Sequence, residues 1–201
     1  KISKRPLLLG RSESTNIIRH KIYKDLLKED LKIHIANLKY DCCYEDLESL
    51  ENFILKNNCD SIIAIGGGKV LDSGKFLADS LSIPVITIPL SASTCAGWTA
   101  LSNIYSINGQ FIEDRALKSC PKILVLDYEL IKTAPKRTLS SGIADALAKW
   151  YESSLTCSES EDGLVQQAIQ ISRVLRDQLL IDGEKAFKGQ FENNPSWQNT
   201  V

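Results

Sequence analysis

Methionine is absent from all 201 residues, position 1 included, and histidine occurs only twice, as His20 and His34. No apolar run reaches the roughly 20 residues of a transmembrane helix, and the first residues lack the pattern of a secretory signal peptide. The net charge of −1 gives no support for a nucleic acid or a membrane as partner. These absences predict a cytoplasmic globular protein. Because methionine is missing and residues 191–201 are polar, we expect the sequence to be incomplete at both ends.

The six cysteines show no Cys-x-x-Cys spacing. They are Cys42, Cys43, Cys59, Cys95, Cys120 and Cys157. Without paired spacing a zinc site built from this set is disfavoured. A chain of this length without a secretion signal is also a poor candidate for a disulfide framework. We therefore predict reduced thiols.

One stretch combines an apolar run with three consecutive glycines. Residues 62–65 are apolar, Gly66-Gly67-Gly68-Lys69 follows, and residues 70–81 repeat their apolar positions with helical spacing. This pattern predicts a buried parallel strand, a tight turn and a helix. Such a turn directs free backbone N–H groups at an anion, and glycine removes the Cβ atoms that would keep it away. A turn that binds nothing is the alternative, but the glycine triplet and the lysine favour a phosphate site.

The rest of the chain alternates strand and helix patterns up to about residue 135. Strand patterns cover residues 6–10, 31–36, 84–88 and 122–126, and helical patterns cover residues 11–28 and 45–56. Asn108-Gly109 between two apolar runs predicts a hairpin. The alternation predicts an α/β fold with a parallel sheet, whose ligands bind at the carboxyl ends of the strands. We therefore expect the loop that begins at Leu90 to lie beside the glycine turn.

From residue 137 onward only helical patterns follow. One predicted helical face contains Leu139, Ile143, Ala146, Leu147, Trp150 and Tyr151, and another contains Leu164, Ala168, Ile171, Leu175 and Leu179. We predict a domain boundary near residue 135, with an α/β domain over residues 1–135 and a helical region over residues 136–201.

Asp145 is the candidate metal ligand of the helical part. It stands among small residues beside an apolar face, where a carboxylate could coordinate a divalent ion. The alternative is an ordinary i, i+4 pair with Lys149. Asp72, near the start of the helix after the glycine turn, could hold the turn, bind a ligand hydroxyl or simply stabilise the helix start. His20 and His34 are expected at the surface.

Together these segments resemble the iron-containing (group III) alcohol dehydrogenases, nearest the glycerol dehydrogenase branch. The residues that carry the resemblance are Gly66-Gly67-Gly68-Lys69 with Asp72 and Lys75, Ile88-Pro89, Ser93-Thr94, Ala100-Leu101-Ser102, Ile104-Tyr105, Asn108-Gly109, Gly142, Asp145-Ala146-Leu147 and Glu152. The resemblance implies that residues 1–135 form a Rossmann-like parallel-sheet dinucleotide-binding domain. It also implies that residues 136–201 are the start of an all-helical, metal-binding domain, an architecture shared with dehydroquinate synthase.

The resemblance also implies a site for NAD or NADP and a metal. The implied cofactor-binding residues are Gly66, Gly67, Gly68, Lys69, Val70, Asp72, Leu90, Ser91, Ala92, Ser93, Thr94, Thr99, Leu101 and Tyr105. Asp145 would be a ligand of a catalytic zinc or iron, with two further ligands expected beyond residue 201. The implied activity is hydride transfer between a small alcohol or polyol and NAD(P), in a homo-oligomeric enzyme.

Three departures from the family pattern leave alternatives open. Cys95 occupies the catalytic position where glycerol dehydrogenases have a substrate-contacting aspartate, so an enzyme like glycerol-1-phosphate dehydrogenase is an alternative. No histidine follows Asp145, so a nucleotide-binding homologue without catalysis is another. Arg11 follows the first strand where an aspartate often selects NAD, and a positive residue there tolerates the 2′-phosphate of NADP.

Overall fold

The computed structural model describes residues 2–189 and 196–201. Strands are β1 (Pro6–Gly10), β2 (His34–Asn37), β3 (Ser61–Gly66), β4 (Val85–Pro89), β5 (Leu101–Tyr105), β6 (Phe111–Ala116) and β7 (Ile123–Leu124). Helices are α1 (Asn16–Leu26), α2 (Tyr44–Lys56), α3 (Gly68–Leu81), α4 (Tyr128–Lys132), α5 (Lys136–Thr156), α6 (Gly163–Phe187) and α7 (Ser196–Thr200). Of the polar stretch 191–201, residues 191–195 lie outside the described part. No described helix is long and apolar enough to cross a bilayer.

The described chain forms two compact units. The first contains the described residues up to Leu90 together with Cys95–Asp127, and the second contains Ser91–Thr94 with the described residues from Tyr128 onward. The functional roles predicted for the segments 1–135 and 136–201 stay predictions.

A five-stranded, all-parallel sheet in the order β2-β1-β3-β4-β7 forms the centre of the first unit. The predicted α/β class is therefore confirmed. Every residue of β1 and of β3 is buried. Their continuous apolar runs predicted this burial, which is typical of inner parallel strands. β1 and β3 are direct neighbours, so their carboxyl ends, at Gly10 and Gly66, meet at the same edge of the sheet.

Helices α2 and α3 cover one face of the sheet with their apolar side chains. Their buried side chains join those of β1 and β3 in one cluster, which includes Leu47, Leu50, Ile54, Leu71, Leu77, Leu7, Leu9 and Ile62. Each fully buried aliphatic side chain of this kind contributes about 1.5–3 kcal/mol to folding. Gly74 lets α3 approach β3 closely, because a Cβ there would lie 2.6 Å from the Cβ of Ala64.

The hairpin predicted around Asn108-Gly109 is confirmed. β5 and β6 pair antiparallel, and Gly109 adopts φ +80°, a conformation that favours glycine.

All six cysteines are free thiols, and burial raises the pKa of Cys42 to about 12.

Two predicted strands are shorter than expected, and both lie at the edges of the sheet. β2 begins at His34 rather than residue 31, and β7 covers only Ile123–Leu124. On β2 the exposed and less exposed positions alternate. Ile35 is exposed, whereas the Nε2 atom of His34 is buried, and its ring packs edge-on against Phe53 of α2. The surface position expected for His34 is therefore wrong: the edge strand turns this side chain towards α2.

In the second unit, the helix predicted from residue 137 is confirmed as α5. Of the apolar face predicted for α6, Leu179 is buried, but most of the other positions are not. Leu164 and Ile171 are 75% and 70% exposed. The buried stripe of α6 contains Ile169 and Ala186 in addition to Leu179. Apolar side chains occur on more than one side of α6, and only the side facing the other helices of this unit is covered.

Candidate dinucleotide-binding site

The glycine turn joins the end of β3 directly to the start of α3. Gly67 is the N-cap residue, with φ −88° and ψ −175°, and no side chain caps the helix. The N–H groups of Val70 and Leu71 donate to the Gly67 carbonyl at 3.0 and 3.2 Å. The N–H groups of the residues before Val70 have no acceptor within a helix, which is the arrangement that binds phosphate.

The close packing of the turn depends on Gly66. A Cβ at this position would lie 2.9 Å from Cγ2 of Val70, so a larger residue would push the first turn of α3 away from β3. The sequence places glycine where the strand, the turn and the helix approach most closely.

A cavity of about 140 Å³ lies against this turn. Its eight lining residues are Arg11, Ser12, Thr15, Gly66, Gly67, Gly68, Lys69 and Val70. The cavity lies at the carboxyl ends of β1 and β3, where ligands bind in parallel sheets. Two cationic side chains, two hydroxyls and a helix N-terminus fit a phosphate or a pyrophosphate in chemistry.

Lys69 is held at the cavity by a buried carboxylate. Its Nζ pairs with Oδ2 of Asp41, which is 5% exposed. The other oxygen of Asp41 accepts the N–H of Cys42 at 2.8 Å. Asp41 therefore orients Lys69 and compensates part of its charge.

Lys75 connects α3 to the segment that leads into β5. Its Nζ lies 3.0 Å from Oδ1 of Asp72 and donates to the carbonyl and hydroxyl oxygens of Thr99, at 3.2 and 3.1 Å, and to the carbonyl of Leu101. Burial raises the pKa of Asp72 although Lys75 opposes this shift. Asp72, Thr99 and Leu101, three of the residues predicted to bind the cofactor, are thus gathered around one buried ammonium group.

The other predicted residues lie in both units. Leu90 donates its N–H to the Gly66 carbonyl at 3.0 Å, so the loop after β4 starts beside the glycine turn, as expected. Ser91, Ala92, Ser93 and Thr94 belong to the second unit, where Ala92 packs against a cluster around Ile131 and Leu139. Tyr105 packs edge-on against Phe111, with ring centroids 6.0 Å apart, and Cys95 is exposed. The functional roles of all these residues stay predictions.

Asp145 lies half-exposed on α5. Its Oδ1 atom is 3.5 Å from Nζ of Lys149, the i, i+4 partner. No group of three or more His, Cys, Asp or Glu side chains that could hold a metal occurs among the described residues. These residues therefore offer one candidate ligand and do not form a metal site.

Ser12, Thr15 and Asp41 were not singled out from the sequence. Ser12 and Thr15 follow β1, and Asp41 follows β2, so all three come after strands that end at the same edge of the sheet as β3. Polar residues directly after neighbouring parallel strands were the available signal.

The model of the family "iron-containing alcohol dehydrogenase" matches residues 1–128. The chain belongs to this family. An uncharacterized oxidoreductase of Synechocystis is 42% identical over 171 residues, which cover 85% of this chain and 44% of the relative. A glycerol dehydrogenase of Escherichia coli is 32% identical over 191 residues, or 92% of this chain and 52% of the relative.

The crystal structure of a probable glycerol dehydrogenase from Sinorhizobium meliloti superposes with a TM-score of 0.87 at 26% identity. The superposition covers 99% of this chain and 56% of that one. The resemblance to the glycerol dehydrogenase branch is confirmed. The chain spans about half the length of the curated relatives it matches.

Proposed function

We propose that this chain is the NAD(P)-binding part of a metal-dependent oxidoreductase that transfers hydride between a small alcohol or polyol and the nicotinamide. The observation that carries the proposal is the cavity at the glycine turn, with its helix N-terminus and two cationic side chains. Family membership and the glycerol dehydrogenases among the relatives support the reaction class.

The residues around the cavity have separable tasks in this proposal. The N–H groups at the start of α3 and the ammonium group of Lys69 bind the pyrophosphate. Asp41 keeps Lys69 at the rim, and Lys75 fixes the main chain at Thr99 and Leu101 relative to α3. Bound NAD(P) supplies the hydride acceptor or donor.

The finer assignments belong to the proposal as well. The metal is zinc or iron, with Asp145 as one ligand and two more ligands beyond residue 201. The enzyme is cytoplasmic and homo-oligomeric. The proposed substrate is the class of small polyols rather than glycerol in particular, because Cys95 replaces the substrate-contacting aspartate of the family pattern. Glycerol 1-phosphate is the alternative substrate.

Titration of nicotinamide fluorescence tests the binding site. We expect the purified chain to bind NADH or NADPH. Gly67→Val should weaken binding of the tighter dinucleotide by roughly tenfold or more, because the valine side chain keeps the phosphate away from the N–H groups of the turn, at the cost of a hydrogen bond to a charged group. The matched control is Gly163→Val at the start of α6, where a Cβ would meet no atom within 4 Å. Unchanged affinity in a folded Gly67→Val variant, checked by circular dichroism, would contradict the proposal.

A nucleotide-binding homologue without catalysis is the second candidate. It is favoured by the pairing of Asp145 with Lys149 and by the lack of a three-ligand cluster in the described part of the chain. Dinucleotide binding without oxidation of any of a panel of alcohols and polyols, with zinc or iron added, would support it. Turnover of any of these substrates would exclude it.

A further inference from the structure

We propose that the cavity at the glycine turn selects NADP(H) over NAD(H), with Arg11, Ser12 and Thr15 binding the 2′-phosphate of the adenosine ribose. This inference rests on the proposed function, because it assumes that the pyrophosphate lies on the glycine turn. It assigns a phosphomonoester site, and with it the specificity of the enzyme, to residues directly after β1.

The sheet order places these residues where the ribose belongs. In dinucleotide-binding α/β folds the glycine turn of one strand holds the pyrophosphate. The residue at the end of the neighbouring strand contacts the ribose: an acidic side chain accepts the 2′-hydroxyl of NAD, and an arginine accommodates the 2′-phosphate of NADP. Here the turn follows β3, β1 is its direct neighbour, and Arg11 is the first residue after β1.

The charges around the cavity fit a third phosphate group. The lining contains Arg11 and Lys69 and no acidic residue. Lys69 shares its charge with Asp41, whereas Arg11 is exposed and forms no ion pair with any residue in the described ranges. The acidic side chain that would accept the 2′-hydroxyl of NAD is therefore missing at this position. Arg11 stands there instead, and no described carboxylate competes with a phosphate for it.

A hydroxyl cluster accompanies Arg11. Oγ of Ser12 lies 3.1 Å from Oγ of Ser14 and 3.1 Å from Oγ1 of Thr15. Hydroxyl groups can reorient to donate to phosphate oxygens. Ser12 and Thr15 both line the cavity. The hydroxyl of Thr15 donates to the Ser12 carbonyl at 3.0 Å and must turn from it to reach a phosphate, so Ser12 is the more direct donor beside Arg11.

A second arginine lies directly behind this cluster. Arg19 is 7% exposed, and its Nη1 donates to Oγ1 of Thr15 at 3.3 Å. It packs so closely on the end of β1 that a Cβ at Gly10 would lie 2.1 Å from Nη1. Within residues 2–189 and 196–201 this buried cation forms no ion pair, and burial lowers its pKa. An anion bound at Thr15 would compensate its charge across one hydrogen bond.

Parallel titrations of the 201-residue chain with NADPH and NADH test the inference. We expect NADPH to bind at least about tenfold more tightly, as one or more added charge-assisted hydrogen bonds predict. Arg11→Gln should remove most of this preference by weakening NADPH binding while NADH affinity stays within about twofold. The matched control is Arg5→Gln, because Arg5 is exposed and lies just before β1, at the other end of the same strand. Adenosine 2′,5′-bisphosphate should compete with NADPH in the unaltered chain and much less in Arg11→Gln.

The outcomes separate this inference from the proposed function. Equal or tighter binding of NADH would overturn the NADP assignment and leave the dinucleotide site intact. Equal losses of both dinucleotides in Arg11→Gln would place Arg11 at the pyrophosphate and overturn the 2′-phosphate assignment. Binding of neither dinucleotide by the folded chain would overturn the proposed function itself.

Discussion

At the scale of single residues, Lys75 is a buried cation, 2% exposed, with acceptors on α3 and on the segment that leads into β5. Lys75→Met would leave the carboxylate of Asp72 buried without its counter-ion, which costs about 3–5 kcal/mol when one partner of a buried pair is removed. We expect this loss in the free energy of unfolding measured with urea.

The pH dependence of the same variant follows from the raised pKa of Asp72. Between the ordinary carboxyl pKa and the raised one, the folded state binds more protons than the unfolded state, so this group's contribution to stability falls as pH rises. Loss of Lys75 should raise the pKa further and make the destabilisation larger at alkaline than at acidic pH. Lys149→Met, which breaks only exposed pairs, is the control and should cost no more than about 1 kcal/mol. A comparably small loss in Lys75→Met would refute the assigned role.

The same scale shows which site residues could be predicted from the sequence. Gly66 to Val70 line the cavity. The sequence predicts them as a phosphate site because the apolar run, the glycines and the helical spacing follow one another directly in the chain. Asp41, Ser12 and Thr15 reach the same place through the order of the strands, which residue spacing does not encode. Their position near the glycine turn therefore follows from the pairing of β1 with β2 and with β3.

At the scale of elements, agreement with the sequence depended on how completely an element is buried. β1 and β3 are covered on both faces, so every position is constrained and the apolar runs marked their bounds. β2 and β7 are edge strands with few constrained positions, and their bounds shifted by several residues. α6 has apolar residues on several sides, so periodicity alone could not identify the side that packs against its unit.

The contact between α5 and residues 91–94 gives a prediction at this scale. A Cβ at Gly142 would lie 1.8 Å from the carbonyl oxygen of Ala92, within the second unit. Because backbone atoms must move to relieve this overlap, Gly142→Ala should lower the free energy of unfolding by about 1–3 kcal/mol. Gly163→Ala is the control, since its Cβ meets open space, and it should be neutral or stabilising by up to about 1 kcal/mol. Urea unfolding followed by tryptophan fluorescence compares the two, and equal stabilities would show that α5 does not hold the loop.

At the scale of the whole molecule, the two units have separate apolar clusters. The glycine-turn cavity belongs entirely to the first unit, so a pyrophosphate bound there should stabilise that unit. A ligand at 100 times its Kd stabilises the state that binds it by about 2.7 kcal/mol.

Hydrogen exchange measured by mass spectrometry can resolve this effect by segment. With saturating NADPH we expect slower exchange in peptides from β3 and α3, and nearly unchanged exchange in peptides from α6, because none of the predicted cofactor-binding residues lies on α6. The Gly67→Val variant with the same NADPH concentration is the control and should show less protection of β3 and α3, because a tenfold weaker Kd lowers the stabilisation by about 1.4 kcal/mol. Equal protection of α6 and α3 would mean that both units open in one cooperative step, and the separate clusters would then not act as independent folding units.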